Sequence, residues 1–215
     1  MYSYLSYPLT KIMPVYGSHN VTLELVQLKV IEKGDSCQVF KLEFENHWGT
    51  HIDCPAHFFL NGKKITDYPP EFWHFKSPQL ISVQLEQGQI LTNLYEINNN
   101  TDLLLIQTGW SKFRGTDIYS TKNPGLSPEL GLLLRNNYPN LRAIGLDLIS
   151  ISSYTNRDLG RAAHQAFLDP NGIGHPILLI EDMLLPLDIN SYKEIIALPL
   201  IVEEIDSSPC TIISL

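Results

Sequence analysis

Three histidines and an aspartate, side chains that bind divalent metals, fall within one eleven-residue stretch, His47-Trp48-Gly49-Thr50-His51-Ile52-Asp53-Cys54-Pro55-Ala56-His57. Imidazole and carboxylate are the donors that zinc and manganese sites use. A histidine by itself is more often a hydrogen-bonded surface or core residue than a ligand. His47, His51, Asp53 and His57 together favour the metal reading. The chain holds seven histidines, the others being His19, His74, His164 and His175.

The backbone must bring these donors together. On a regular strand His47 and His51 would start about 13 Å apart at ~3.3 Å per residue, too far to share one ion comfortably. A helix would align positions i and i+4, but Gly49, β-branched Thr50 and Ile52, and Pro55 oppose one. What remains is a strand that breaks at Gly49, where the missing Cβ permits a sharp bend, followed by a compact loop closed by Pro55. Such a loop turns His47, His51 and Asp53 onto one point, with His57 just beyond.

The surrounding elements read as a mixture. Strand composition runs over Val21–Leu28 and, after a Gly34-Asp35 turn, Cys37–Phe44. Further strands are expected at Leu80–Leu85, Leu103–Thr108, Ala143–Asp147, Ile177–Ile180 and Ile195–Val202. Ser127-Pro128-Glu129 offers an N-cap and a first-turn proline for a helix reaching about Asn137, and Asp158–Leu168 reads as a second, short helix. Asn98-Asn99-Asn100 is a loop. Strands and helices in this order give an α/β fold with a mixed β-sheet and flanking helices. No repeat and no composition shift divides residues 1–215, so a single domain is expected.

Composition narrows the classes. With 15 Lys and Arg against 23 Asp and Glu, the net charge is −8, and only 18% of residues are charged. No basic face is available for nucleic acid or for an anionic membrane surface. The 44% hydrophobic content supports a sizeable core and argues against disorder. Cys37, Cys54 and Cys210 form no C-x-x-C pair, which suits a reducing compartment. No signal-peptide pattern or membrane-length apolar run occurs, so a cytoplasmic location is expected. The N-x-T triplets at Asn20 and Asn99 are then chance matches. There is no G-x-S-x-G elbow and no P-loop, and Gly172-Ile173-Gly174 lacks the third glycine of a dinucleotide fingerprint.

The pattern H-x-G-T-H-x-D-x-P-x-H resembles that of the cyclase family of metal-dependent hydrolases, which includes bacterial kynurenine formamidase and isatin hydrolase. The likeness runs in order along nearly the whole chain. Leu5-Ser6-Tyr7-Pro8-Leu9 and Met13-Pro14-Val15-Tyr16 resemble the family's N-terminal segments. Thr108-Gly109-Trp110-Ser111, Pro124-Gly125-Leu126-Ser127, Gly145-Leu146-Asp147, Ala163-His164-Gln165-Ala166-Phe167-Leu168 and Ile180-Glu181 resemble later ones. Departures are Tyr4 where the family has Asp, Asp182-Met183 after Glu181, and a longer stretch, Asp169–Pro176, before Glu181. Gly and Pro flank His175 in that stretch, so it reads as a surface-loop histidine.

The resemblance implies a swivelling β/β/α-like arrangement and two divalent ions per chain, zinc or manganese. His47, His51 and Asp53 would hold one ion; Asp53, His164 and Glu181 would hold the other, with Asp53 as the bridge. His57 would be the catalytic acid/base. It further implies attack of metal-activated water on an amide carbonyl, with an arylformamide such as N-formylkynurenine, from tryptophan catabolism, as the leading substrate. A cyclic amide or lactone is the alternative, and a noncatalytic metal-binding or interaction protein is the reading from a different class. Trp48, Phe58, Phe59 and Trp73 could wall a pocket for an aryl ring, although large aromatics are usually core or interface residues. A homodimer or higher homo-oligomer is the implied assembly.

Overall fold

Three short segments with no polar interruption form the interior. They are β8 (Leu103–Gln107), β10 (Ala143–Leu146) and β11 (Leu178–Glu181), buried along their whole length and paired in parallel. Strands covered on both faces read as continuous apolar runs, which is why these were legible in the sequence. The computed structural model describes residues 2–17, 23–187 and 191–215. His19, the Asn20 triplet and the first two residues of the expected Val21–Leu28 strand lie outside the described residues.

Among the described residues the remaining strands are β1 (Ser3–Tyr4), β2 (Glu24–Lys29), β3 (Val39–Glu43), β4 (His51–Asp53), β5 (His74–Phe75), β6 (Pro78–Ser82), β7 (Ile90–Leu91), β9 (Gly125–Leu126), β12 (Ile195–Pro199) and β13 (Ser207–Ser214). Nine strands make one mixed sheet in the order β5-β12-β13-β4-β11-β10-β8-β6, with β1 added on β13. β6, β8, β10 and β11 run parallel, and β4, β13, β12 and β5 continue the sheet antiparallel. The β2–β3 ribbon and the β7–β9 pair stand apart from it.

The two faces of the parallel strands lead to two cores. Leu104, Ile106, Ile144, Leu146 and Leu179 pack against the helices α2 (Pro128–Asn137) and α3 (Arg157–Leu168), which supply Leu130, Leu134, Ala163 and Phe167. Leu103, Leu105, Ala143, Leu178 and Ile180 instead meet Ile195, Ala197, Cys210 and Ile212 of β12 and β13. The sheet therefore curls until its antiparallel end covers its own parallel strands, giving β/β/α layers in one α/β domain. The third helix, α1 (Asp117–Thr121), is a short one that the sequence pattern did not announce.

Local chemistry sets the element ends. Ser127 caps α2, its hydroxyl accepting the Leu130 N–H at 3.2 Å, and Pro128 occupies the first helical position. β6 begins at Pro78, two residues ahead of the expected Leu80 start and ending at Ser82. A proline is tolerated there because it opens a strand at the sheet edge. β12 stops at Pro199, so the expected extension to Val202 is not strand; Leu200, Ile201 and Val202 are exposed.

The principal correction concerns His51-Ile52-Asp53. The sequence reading places these residues in a compact loop, whereas they form β4, hydrogen-bonded to β11 on one side and β13 on the other. Ile52 enters the apolar core, and His51 and Asp53, two positions apart, share the opposite face. The bend at Gly49 is present, with φ +65°, and the chain leaves β4 through a 3-10 turn over Pro55–His57.

Candidate metal centre

β4 puts His51 and Asp53 on one face, and its register against β11 sets Glu181 directly opposite His51. The two side chains meet, His51 Nε2 lying 3.5 Å from Glu181 Oε2 and also 3.5 Å from Asp53 Oδ1. His164 arrives from α3, with its Nε2 3.4 Å from Glu181 Oε1 and 3.9 Å from Asp53 Oδ2. His47, carried back over the Gly49 bend, brings Nδ1 to 3.0 Å from Asp53 Oδ1. Asp53 is thus faced by three imidazoles.

Hydrogen bonds behind the rings settle their tautomers. His51 donates its Nδ1–H to the Gly49 carbonyl at 2.7 Å, and His164 donates its Nδ1–H to the Gly160 carbonyl at 2.9 Å. In its neutral form each therefore presents a lone pair at Nε2, as ligand histidines backed by a carbonyl do. Glu181 Oε1 accepts from the Ile151 N–H at 2.7 Å and the Ser150 hydroxyl at 3.0 Å. These bonds hold the carboxylate in place.

The donor chemistry fits a divalent cation. Asp53 and Glu181 are both buried, and Asp53 Oδ1, shut off from solvent, receives no aligned hydrogen bond and has only the His47 and His51 rings beside it, at 3.0 and 3.5 Å. A buried carboxylate oxygen without a donor is costly unless a cation meets it. Ligand atoms of His51, Asp53 and Glu181 lie within 4.8 Å of one another, and so do those of His47, Asp53 and His57. Asp53 belongs to both groups.

Titration follows from the same packing. Burial drives the His47 pKa down, but the Asp53 and Asp206 carboxylates outweigh it and hold the ring up to about 10. Burial likewise opposes charge on His164, and Glu181 and Asp53 raise its pKa. Asp53 is pushed up by burial, yet the facing His47 and His51 rings bring its carboxyl well below the ordinary carboxylate range. Protons on His47 and His164 stand in for the positive charge that the carboxylates demand.

Residues 4–153 match the family described as Putative cyclase. The chain belongs to the cyclase family. Among its relatives is a kynurenine formamidase of Bacillus thuringiensis subsp. konkukian, 29% identical over 179 residues, covering 83% of this chain and 80% of that one. A kynurenine formamidase of Bacillus cytotoxicus is 29% identical over 180 residues, with the same coverage. The fold is that of isatin hydrolase A from Labrenzia aggregata, with a TM-score of 0.76 at 18–19% identity shared with a potential metal-dependent hydrolase with cyclase activity. All of this chain is covered, with 93% of the first structure and 96% of the second.

Within this family fold the departures noted in the sequence have plain structural consequences. Tyr4 is exposed on β1. Asp182 is fully buried and takes a two-pronged grip from Arg114, at 2.9 and 2.7 Å, plus the Tyr119 hydroxyl at 2.6 Å. The stretch before Glu181 bulges outward and is tied down by Arg135, which donates to the carbonyls of Ala166, Asp169 and Gly174. His175 is exposed on that loop, bonded to the Leu141 carbonyl.

Of the four aromatics expected to wall a pocket, Phe58 alone stands against the histidines, its ring 4.7 Å from His57 and 5.0 Å from His164. Phe59 packs on the edge of the helix-side core. Trp48 is buried with Met13 and Leu23, and Trp73 is buried among Tyr68, Phe72 and Phe75. Both tryptophans are core residues because each ring sits under a separate apolar cluster. Asp206 is the residue that the sequence reading missed. It meets His57 Nδ1 at 2.7 Å, and no local pattern links a lone aspartate to a histidine so distant in the chain.

Proposed function

We propose that the chain is a metal-dependent hydrolase that cleaves an amide C–N bond, with an arylformamide of the N-formylkynurenine type as substrate. The observation that carries the metal half of this reading is the buried Asp53 carboxylate, its Oδ1 without an aligned hydrogen bond and facing His47 and His51, its Oδ2 facing His164. The kynurenine formamidases at 29% identity support the choice of substrate class. His47, His51, Asp53, His164 and Glu181 would hold two divalent ions, zinc or manganese, with Asp53 shared between them.

Bound cations supply Lewis acidity for a carbonyl oxygen and acidify water at the centre. The remaining work belongs to the chain. Nδ1–H bonds to Gly49 and Gly160 keep the His51 and His164 lone pairs directed from Nε2. Glu181 is kept from swinging away by Ser150 and Ile151. His57 is the acid/base: it would take up at Nε2 the proton released by the attacking water and pass it to the departing nitrogen, since an amine leaves poorly unless protonated. Phe58, edge-on to His57, offers an apolar ring beside the reacting groups.

The deciding experiment pairs metal analysis with a hydrolysis screen. Purified wild type should carry metal, and His51→Ala should lose it; equal content in both would sink the metal assignment. N-formylkynurenine, simple formanilides, isatin and small lactones would then be offered to wild type and to His57→Ala. Turnover of an arylformamide, reduced about 10²-fold or more in His57→Ala, is the expected result. Turnover of isatin or a lactone instead would move the protein to cyclic substrates. Metal bound with no turnover of any compound would favour a noncatalytic binding protein.

A further inference from the structure

Asp206 lies outside the proposed ligand set, yet three side chains converge on it. Its Oδ2 accepts the Nδ1–H of His57 at 2.7 Å and lies 3.4 Å from His47 Nε2, and its Oδ1 accepts from Asn46 Nδ2 at 2.9 Å. The backbone at Asp206 and immediately after it is anchored to β4 and to the residue that follows that strand. The Asp206 carbonyl accepts the Cys54 N–H at 2.9 Å, and Ser207 pairs in register with Asp53. The His47 and His57 rings are stacked at a tilt, 4.2 Å between centroids, so one carboxylate oxygen serves two neighbouring imidazoles.

We propose that Asp206 is a positioning residue of the metal centre, one oxygen setting the tautomer and ring plane of His57 while bracing His47 at the nitrogen that does not face Asp53. An ionised carboxylate only accepts hydrogen bonds, so the contact puts the His57 proton on Nδ1 and leaves Nε2 as the basic atom. His47 uses its two nitrogens in the same divided way. Nδ1 looks to Asp53 and Nε2 to Asp206, the arrangement of a ligand histidine steadied by an outer carboxylate. The consequence is mechanical coupling: a shift of the proposed ligand His47 also shifts the proposed acid/base His57.

The effect on turnover rests on the proposed role of His57, but the tautomer does not. The first measurement is the nitrogen-15 imidazole spectrum of metal-free wild type with the His57 ring neutral, its signals assigned with His57→Gln. The Nδ1–H form is expected, and Asp206→Ala should move His57 to the Nε2–H form that free side chains favour. A wild-type ring in the Nε2–H form would overturn the proposal, as would a variant that kept Nδ1–H. Because the wild-type spectrum tests the contact directly, a variant that failed to fold would not protect the idea. The second measurement is zinc affinity, expected to fall roughly 10- to 100-fold in Asp206→Ala; an unchanged value would remove the bracing of His47. On any screened compound that wild type hydrolyses, kcat should drop about tenfold or more with KM nearly constant, and Asp206→Glu should recover part of it. A loss confined to KM would contradict positioning. If wild type hydrolyses none of the compounds, the hydrolase reading fails while the spectrum and the zinc titration still judge Asp206.

Discussion

His47 is half-exposed at the rim of the centre and sits between two carboxylates, Asp53 and Asp206, which together raise its pKa to about 10. The sign of the resulting linkage is definite. A histidine held above its ordinary value of about 6.5 stabilises the metal-free fold fully below that pH, and the contribution is lost as pH rises through about 10. A cation that takes the same nitrogen must displace that proton, so zinc affinity should climb with pH. Calorimetric titration of metal-free protein between pH 6.5 and 8 should show up to about a tenfold gain per pH unit from this one proton. A flat profile would mean that His47 is not a ligand.

At the scale of elements, the centre depends on one bend and one strand register. Gly49 adopts φ +65°, and a Cβ there would come within 2.5 Å of Met13 Cε and 3.1 Å of Leu9 Cδ2. Its carbonyl also fixes the His51 tautomer. Gly49→Ala should therefore lower both thermal stability and bound metal. Gly34→Ala is the informative control, because Gly34 also has positive φ, +96°, but its Cβ would meet nothing within 4 Å, at the turn beside the β2–β3 ribbon. It should cost stability of about 1–2 kcal/mol and leave metal content intact. Equal metal loss in both variants would show that the bend has no special relation to the centre. The bend was legible in the sequence because glycine among β-branched residues marks a break. The strand after it was not, because His51-Ile52-Asp53 is too short to show a period and is held as a strand only by β11 and β13.

For the whole molecule, the centre is a junction between the two halves of the sheet. His51 and Asp53 stand on β4, Glu181 on the adjoining antiparallel neighbour β11, His164 on the covering helix α3, and Asp206 just before β13. Cations bound by side chains from so many elements would stabilise the folded chain as a unit. Chelation should lower Tm, and zinc restored to about 100 times its Kd should return about 2.7 kcal/mol, or roughly 5–10 °C for a chain of this size. Identical melting curves with and without zinc would contradict a junction role.

Read alone, the sequence determined the donor types and their crowding between His47 and His57, the buried parallel strands, the cap of α2, and the ordered segments that mark the family. Those features are local: side-chain chemistry, apolar runs and turn residues act within a few positions. The tertiary structure decided which distant groups meet. It placed Glu181 opposite His51, moved Trp48 and Trp73 into separate apolar clusters, and set Asp206 against His57. The reason is that interstrand register and the curl of the sheet arise from packing summed over the whole chain, and no short stretch of residues encodes them.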